Sequence, residues 1–277
     1  MTAKKKSLLN SSLSELVERF KKEDVVAEME KRYQSAPTRL IPTQSIDDNS
    51  FIAEVIMREE VVEAFAEQLK SRGIYNPLVL KRKGERYELV LGRKRFYGAK
   101  RAGIISLPAV IADIGEEEEL LTLLADNRDQ RESNILEMAL VCHALQEDFG
   151  YNVLTLAGLS HQSRSQIANI LRLLRLPQEL RNQLNQGKLS YGHARAIACL
   201  DEEEAISLAR RVNDEKLSVR QTEEEVRRLR NGKGQNSELE RTLSKYGAKV
   251  SEKKKEIKIN FASEEEKKAF INAFLKK

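Results

Sequence analysis

The 277-residue sequence contains no tryptophan, and aromatic residues make up only 5% of it. Its two cysteines, Cys142 and Cys199, lie far apart and form no CxxC pair. No hydrophobic run approaches the ~20 residues that a membrane span requires. These shortages argue against a disulfide-rich secreted protein, a cysteine-based zinc site and a membrane-spanning chain. We therefore expect a cytoplasmic protein with reduced thiols.

Charge is plentiful, since 33% of the residues are charged, but the net charge is only +5. The positive charge is concentrated in one place. Residues 161–200 include six arginines and lysines and a single acidic residue, Glu179, so this stretch alone carries as much net charge as the whole chain. A local basic surface of this kind is typical of proteins that bind a polyanion.

The periodicity of apolar residues predicts a multidomain chain in which a mixed α/β unit precedes an all-helical unit. In the α/β unit, a helix that ends at Gly73 precedes strands over 77–81 and 87–91, which are joined by a hairpin turn at 83–85, and further helices and a third strand follow. In the helical unit, Asn134 with Glu137 and Ser218 with Gln221 have the spacing of helix-capping pairs. The predicted boundaries are a basic, amphipathic tail at 1–36, the α/β domain at 37–131, the helical domain at 132–230, a linker at 231–240 and a small C-terminal domain at 241–277.

The C-terminal segment alternates in polarity at 256–261 (EIKINF), as a strand does, and Ser263 then opens an amphipathic helix. One strand and one helix have too little surface to form a core alone. Because both apolar faces need cover, we expect this domain to form a homodimer.

The clearest functional signal is a helix-turn-helix pattern at 152–176. A short helix leads into the polar turn 160–162, and Ser163 and Gln166 have the spacing of a capping box that begins the second helix. Four apolar residues of this second helix fall on one face, and Arg164, Ser165, Ala168, Asn169, Arg172 and Arg175 lie on the other. Polar residues near the start of a helix, with arginines beside them, are what base recognition in the major groove requires. The alternative is a helical hairpin with a solvated basic face.

A second basic segment, GRKRFYGAKRAG at 92–103, lies between a predicted strand and a predicted helix. Gly92 permits close backbone approach, and the free N–H groups of a helix start favour an anion. Three interpretations remain open for this segment: a phosphate-binding turn, a contact to the DNA backbone, or a solvated helix. The sequence has no Walker A pattern, so any nucleotide site here is not a P-loop.

Three segments together resemble the ParB partition proteins: SRSQIANILRLLRLPQEL, GKLSYGHARA at 187–196 and LSVRQTEEEVRRL at 217–229. The resemblance implies an N-terminal α/β nucleotide domain of the ParB/sulfiredoxin-like kind, a central helix-turn-helix domain and a C-terminal dimerisation domain. It also implies a dimer that binds a parS-like palindrome in double-stranded DNA and closes on it as a CTP-gated sliding clamp. The implied partners are a ParA-type ATPase and SMC/condensin, and the implied location is the nucleoid.

By this resemblance and the helical pattern, the candidate DNA contacts are Ser163, Arg164, Ser165, Gln166, Asn169, Arg172, Arg175, Lys188, His193 and Arg195. Arg172 stands where partition members carry arginine and occlusion members tend to carry glutamine. His161 departs from the pattern, because a glycine is common at this place in the turn.

For CTP, the resemblance points to Gly92, Arg93, Lys94 and Arg95, which align with the family's GERR, and to Asp126 and Asn127 as residues for the triphosphate, its Mg²⁺ and any hydrolysis. Three departures bear on this expectation. Arg93 stands where the family has glutamate, and Lys94 cannot bind bidentately as the family's arginine does. The family's NPR- or QPR-type stretch is also missing, and FIAEVIMR at 51–58 stands in its region.

The N-terminal tail has three interpretations: a frayed segment, a contact to a ParA-type ATPase, or a weak membrane anchor as in nucleoid-occlusion relatives. We prefer the frayed segment, and a membrane partner is not expected. For the whole protein, the main alternative to partition is a transcriptional regulator or nucleoid-occlusion factor of the same fold.

Overall fold

The computed structural model describes residues 36–129, 134–234, 248–253, 256–261 and 263–275. The predicted N-terminal tail therefore lies outside the described residues. The described chain comprises a five-stranded sheet with its helices, a helical unit and a small C-terminal unit. Its elements are β1 (Arg39–Pro42), β2 (Ile46–Asp47), α1 (Glu59–Arg72), β3 (Leu78–Lys83), β4 (Arg86–Leu91), α2 (Arg93–Arg101), β5 (Ser106–Ala112), α3 (Glu116–Asp129), α4 (Ile135–Phe149), α5 (Val153–Leu159), α6 (Arg164–Arg172), α7 (Gln178–Asn185), α8 (Tyr191–Ile197), α9 (Glu202–Asp214), α10 (Val219–Gly234), β6 (Ala248–Lys253), β7 (Glu256–Phe261) and α11 (Glu264–Leu275).

The five-stranded sheet has the order β1-β5-β3-β4-β2. The pairs β1–β5 and β3–β4 are antiparallel, whereas β3–β5 and β2–β4 are parallel. The hairpin between β3 and β4 confirms the predicted turn, which contains Gly84 at φ +61°. Alternate strand residues face opposite sides. One face of the sheet packs against Leu69 of α1 and Phe96 of α2, and the other face packs against Ala125 of α3.

Helices α1 and α2 approach each other closely at Gly98. A Cβ built on Gly98 would lie 2.7 Å from Cβ of Phe65 and 3.0 Å from its carbonyl carbon, so only glycine fits between these two helices. The predicted end of α1 is confirmed, because Gly73 follows it at φ +75° and its N–H donates to the carbonyl of Leu69. This packing fixes the direction in which the amino end of α2 points.

The helical unit contains two hydrophobic clusters. Leucines of α3 pack with α4, α5 and α6 in the first cluster, and the second joins α7 to α10. Ile52 lies in the first cluster and Val55 in the second, although both belong to the chain segment that leads from the sheet to α1. The α/β and helical units are therefore joined through buried apolar side chains as well as through the chain itself.

The structure adds detail to two predictions near the C-terminus. Helix α10 begins at the predicted capping box of Ser218 and Gln221, but it continues to Gly234, which is beyond the predicted start of the linker at residue 231. The predicted strand at 256–261 is confirmed as β7, and it pairs antiparallel with β6, a strand that the sequence pattern did not reveal. Phe261 of β7 and Phe270 of α11 lie with ring centroids 5.4 Å apart.

Candidate functional site

Helices α5 and α6 form the predicted helix-turn-helix. The Asn152 side chain accepts from the N–H of Thr155 and so caps α5, and Ser160 is fully buried at its end. The turn then passes through His161, whose φ of +53° is left-handed. This conformation explains why glycine suits the position, since a side chain there costs roughly 1–2 kcal/mol. Helix α6 follows immediately.

The amino end of α6 is fixed by the predicted capping box. The Ser163 hydroxyl accepts from the N–H of Gln166 at 3.2 Å, and the Gln166 side-chain oxygen accepts from the N–H of Ser163 at 2.8 Å. Both residues, as well as Arg164 and Ser165, are exposed. Ile167 is buried directly behind them. The helix thus presents a polar, exposed amino end while its apolar face holds it to the core.

Asn169 and Arg172 lie one turn further along α6 and are in contact. An Nη1–H of Arg172 donates to Oδ1 of Asn169 at 3.0 Å, so each side chain limits the rotamers of the other. Arg175, in the short 3₁₀ turn after α6, is exposed. These three residues continue the polar surface that begins at Ser163.

Helix α8 packs next to α6. Of the candidate DNA contacts on or just before α8, one is exposed and two bond to other parts of the protein. Lys188 is exposed before the helix. His193, in contrast, uses both ring nitrogens inside the fold: Nδ1 lies 2.8 Å from the Ser190 hydroxyl and Nε2 lies 3.0 Å from the carbonyl oxygen of Leu217. Arg195 forms a half-exposed ion pair of 2.5 Å with Glu223. His193 therefore clamps α8 to the start of α10, a placement that does not favour its predicted DNA contact.

The predicted phosphate turn lies where β4 ends and α2 begins. Gly92 has φ +103°, and a Cβ there would lie 2.5 Å from Cδ2 of Leu78. Both the backbone angle and the space therefore require glycine. The N–H of Phe96 donates to the Gly92 carbonyl, so the N–H groups of residues 93–95 have no partner within the helix and form its positive end.

The three cations that follow Gly92 have different surroundings. Arg93 is 9% exposed and pairs with two carboxylates. Arg95 donates to the carbonyls of Asn76 and Pro77 at 2.6 and 2.8 Å. Lys94 is half-buried, and among the described residues its ammonium group forms no hydrogen bond or ion pair. The structure thus brings the predicted residues together, but it engages two of the three side chains in the fold.

A cavity of about 730 Å³ opens at this helix end, between the α/β and helical units. Its volume lies within the ~300–1,000 Å³ range of small-molecule sites. All six residues predicted for the nucleotide line it, and residues of α7 and α8 form its far wall. Its polar lining includes Asn49, Arg58, Gly92, Arg93, Lys94, Arg95, Asp126, Asn127, Asn134, Glu137, Asn185 and Tyr191.

Asp126 and Asn127 both belong to α3, but they differ in what they can bind. The Asn127 Oδ1 accepts from the N–H of Asn134 at 3.0 Å, and its amide donates to Glu137 at 3.4 Å. Asn127 is thus part of the junction between α3 and α4. Asp126 is half-buried on the cavity wall. Mg²⁺ commonly uses one or two carboxylates and the substrate's own phosphates, so Asp126 suits such an ion, whereas the Asn127 side chain already bonds to Asn134 and Glu137.

Sequence reasoning missed the polar network that holds Asn49, which is 1% exposed, against this cavity. The Asn49 amide donates to the Leu89 carbonyl at 2.9 Å and to Glu119 at 2.7 Å. Glu119 in turn pairs with Lys81. Nearby, burial would raise the pKa of Glu88, but hydrogen bonds from Ser50 and two lysines lower that pKa to about 2. In the sequence, only Lys81 and Glu88, which are direct partners across β3 and β4, could have signalled part of this network, because Asn49 lies in a loop and Glu119 in α3.

The segment FIAEVIMR also has a role that the sequence did not reveal. In addition to the buried Ile52 and Val55, it contacts α7 through polar groups. Arg181 donates to Glu54 at 2.8 Å, and the Asn185 amide donates to the carbonyl of Ile56. This segment therefore fastens the α/β unit to the helical unit beside the cavity.

Comparison with known proteins supports this two-unit arrangement. Residues 27–128 match the ParB N-terminal domain family and residues 131–231 match the ParB HTH domain family. The chromosome-partitioning protein Spo0J of Thermus thermophilus is 32% identical over 238 residues, which cover 83% of this chain and 88% of the relative. The chain belongs to the ParB family. Its predicted fold class, with an α/β unit before a helix-turn-helix unit, is confirmed.

Other ParB relatives show similar identity over shorter spans. A probable chromosome-partitioning protein ParB of Pseudomonas putida is 32% identical over 188 residues, which are 68% of this chain and 65% of the relative's length. A crystal structure of C-terminally truncated ParB from Caulobacter crescentus, complexed to the centromeric parS site, is 30% identical and covers 69% of this chain and 99% of that one, with a TM-score of 0.42. The same Caulobacter protein has been crystallised with CTP-gamma-S.

Two further properties concern the described residues alone. They contain no group of three or more histidine, cysteine, aspartate or glutamate side chains that could hold a metal ion. In the same part of the chain, no helix is both long enough and apolar enough to cross a membrane.

Proposed function

We propose that this ParB-family protein binds a parS-like palindrome in double-stranded DNA as a homodimer and acts in chromosome or plasmid partition. The main observation in support is made at the amino end of α6, where Ile167 is buried directly behind four exposed residues, Ser163, Arg164, Ser165 and Gln166. A recognition helix needs this combination, because its amino end must project from the protein to reach the base edges while its apolar face packs on the core.

The candidate contacts divide by their surroundings. Arg164, Ser165 and Gln166 would meet base edges, and the Asn169–Arg172 pair offers an amide and a guanidinium in a restrained orientation. Arg175 and Lys188 are exposed cations that suit phosphate contacts. His193 and Arg195 support this surface from α8 through their contacts to α10.

We further propose that the cavity binds CTP. The N–H groups at the amino end of α2 and the ammonium group of Lys94 would receive the phosphates, and Asp126 would hold an accompanying Mg²⁺. The ion would neutralise phosphate charge. Residues of α7 and α8 line the same cavity, so a bound nucleotide would contact the unit that binds DNA. This arrangement is compatible with a CTP-gated clamp and with slow CTP hydrolysis in which Asp126 orients the attacking water.

The partners follow from the family. The C-terminal unit would dimerise through β6, β7 and α11, because two strands and one helix form too small a core alone and Ile271 is 42% exposed. A ParA-type ATPase and SMC/condensin would be further partners, and the protein would be nucleoid-associated.

The deciding experiment for DNA binding uses Arg172→Ala. Specific affinity for the Caulobacter parS duplex should fall by about 1–3 kcal/mol at fixed salt, while affinity for a scrambled duplex changes little. The matched control is Arg82→Ala, which removes an exposed arginine from β3 on the α/β unit. If Arg172→Ala binds both duplexes as the wild type does, α6 is not the recognition helix.

The partition proposal also requires that the wild-type protein bind CTP, which calorimetric titration with CTP, and with GTP as a control, measures. Absence of CTP binding would reduce the protein to a DNA-binding regulator or an occlusion factor without a nucleotide switch.

A further inference from the structure

Arg93, the residue that stands where the family has glutamate, makes a nearly complete set of hydrogen bonds inside the protein. Its Nε–H and an Nη2–H donate to the Asp48 carboxylate at 3.0 and 2.7 Å, and an Nη1–H donates to Glu137 at 2.6 Å. Nη2 also donates to the carbonyl of Val55 at 2.7 Å. All three guanidinium nitrogens are thus used, and of the five N–H donors only one, on Nη1, has no acceptor among these partners.

The partners of Arg93 come from three different parts of the fold. Asp48 lies in the loop after β2, where it also accepts from the Tyr97 hydroxyl at 2.7 Å. Val55 lies in the segment that enters the helical core. Glu137 lies in the first turn of α4, the helix that begins the helix-turn-helix unit. Arg93 therefore ties the phosphate-facing helix to the loop before it and to the DNA-binding unit.

These contacts also change the charge that a phosphate would meet. Two carboxylates, Asp48 and Glu137, lie within 3 Å of Arg93, and their side chains are only 13% and 14% exposed. Without the guanidinium they would repel an anion at the start of α2, with little water to screen them. The pKa of Arg93 is raised, because these carboxylates outweigh the opposing effect of burial, so its charge is permanent.

We propose that Arg93 is a positioning residue: it binds Asp48 and Glu137 in place of phosphate, fastens α2 to α4, and neutralises both carboxylates so that the phosphates of a nucleotide can bind at the N–H groups of α2 and at Lys94. The phosphate part rests on the proposed CTP function, whereas the fastening of α2 to α4 does not. The two residues that follow Gly92 therefore have different roles in this chain: Arg93 links α2 to α4, and Lys94 binds the phosphates.

The first test compares CTP affinities by calorimetry. Arg93→Gln should weaken CTP binding about tenfold or more, because two carboxylates with little solvent exposure lose their counter-charge. Adding Glu137→Gln to Arg93→Gln should restore a large part of that loss, since it removes one of the repelling charges. If Arg93 were itself a phosphate ligand, the double variant would bind CTP as weakly as Arg93→Gln alone. That result overturns the proposal.

The second test measures thermal midpoints and does not depend on any nucleotide. Arg93→Gln and Glu137→Gln should each lower the midpoint, and the double variant should be no less stable than Arg93→Gln, because both changes break one contact. If the decreases in midpoint of the two single variants add up in the double variant, Arg93 does not fasten α2 to α4 through Glu137. If wild-type protein binds no CTP, the nucleotide site fails, and this test still decides whether Arg93 fastens α2 to α4.

Two control variants complete the design. Lys94→Gln should lower CTP affinity about tenfold and leave the midpoint unchanged, since its ammonium has no partner among the described residues. Arg101→Gln removes a half-exposed arginine at the other end of α2, where it pairs with Glu59 and Glu63. It should leave CTP affinity unchanged. A loss of CTP affinity in Arg101→Gln as large as that in Arg93→Gln would contradict a specific role for Arg93.

Discussion

The proposed recognition helix, α6, and the proposed phosphate turn before α2 are both cationic helix starts, but their side chains are used differently. At the start of α6, Arg164 and its polar neighbours are exposed, and the capping box satisfies the backbone. At the start of α2, Arg93 and Arg95 are engaged with other parts of the fold. A cation can serve a ligand only where the fold does not already use it. The availability of a charge, rather than its presence in a motif, therefore distinguishes the two sites.

The location of each helix explains the difference. Helix α6 lies at the surface, so its outward side chains meet solvent. Helix α2 begins between the sheet, α3 and α4, so partners for its first residues come from segments about 45 positions away in sequence, such as Asp48 and Glu137. Local periodicity predicts which way a helix faces, but it carries no information about partners so distant.

The largest effect that we predict concerns the glycine that begins the phosphate turn. Gly92→Ala should lower the free energy of unfolding by about 2–4 kcal/mol, because the new Cβ meets Leu78 and the backbone is left-handed. Gly103→Ala, at the other end of α2, has a similar φ of +73° but nothing within 4 Å of the new Cβ, so it should cost only ~1 kcal/mol. Urea denaturation measures both. Equal losses would show that close packing at Gly92 is not what constrains the turn.

A second prediction compares the two arginine environments directly. Arg95→Gln should cost about 1–2 kcal/mol of unfolding free energy, because the carbonyls of Asn76 and Pro77 lose their charged donor. Arg164→Gln should change stability by less than ~0.5 kcal/mol and weaken binding to the parS duplex instead. The two variants are measured by urea denaturation and by DNA titration. A stable Arg95→Gln, or an unstable Arg164→Gln, would break the distinction between engaged and available cations.

Local signals in the sequence predicted local structure well. The Ser163–Gln166 and Ser218–Gln221 capping boxes form as expected, and so does the hairpin at Gly84. The strand β6 was not predicted because its sequence, AKVSEK, has little apolar alternation and it is paired only by β7. At Asn134, the side chain caps α4 as expected, but Glu137 does not complete the box, because it pairs with Arg93.

The candidate sites show the same limit. The six residues that the resemblance assigned to the nucleotide line one cavity in the structure. The sequence could not show that Asn127 is committed to Asn134, or that FIAEVIMR supplies Ile52 and Val55 to the helical core. Those contacts depend on how the two units pack against each other.

The smallest effect that we predict concerns the turn between α5 and α6. Here a residue with a side chain occupies a left-handed position, whereas glycine occupies the left-handed position at residue 92. His161 occupies a left-handed position with a side chain, and the ring is exposed. His161→Gly should therefore raise the free energy of unfolding by about 0.5–1 kcal/mol, because relief of the backbone strain exceeds the added entropy of the unfolded chain. DNA affinity should stay unchanged if the ring serves neither the fold nor the DNA. A parallel loss of parS affinity would instead make the His161 ring a DNA contact, and the strain at this turn would then be retained for binding.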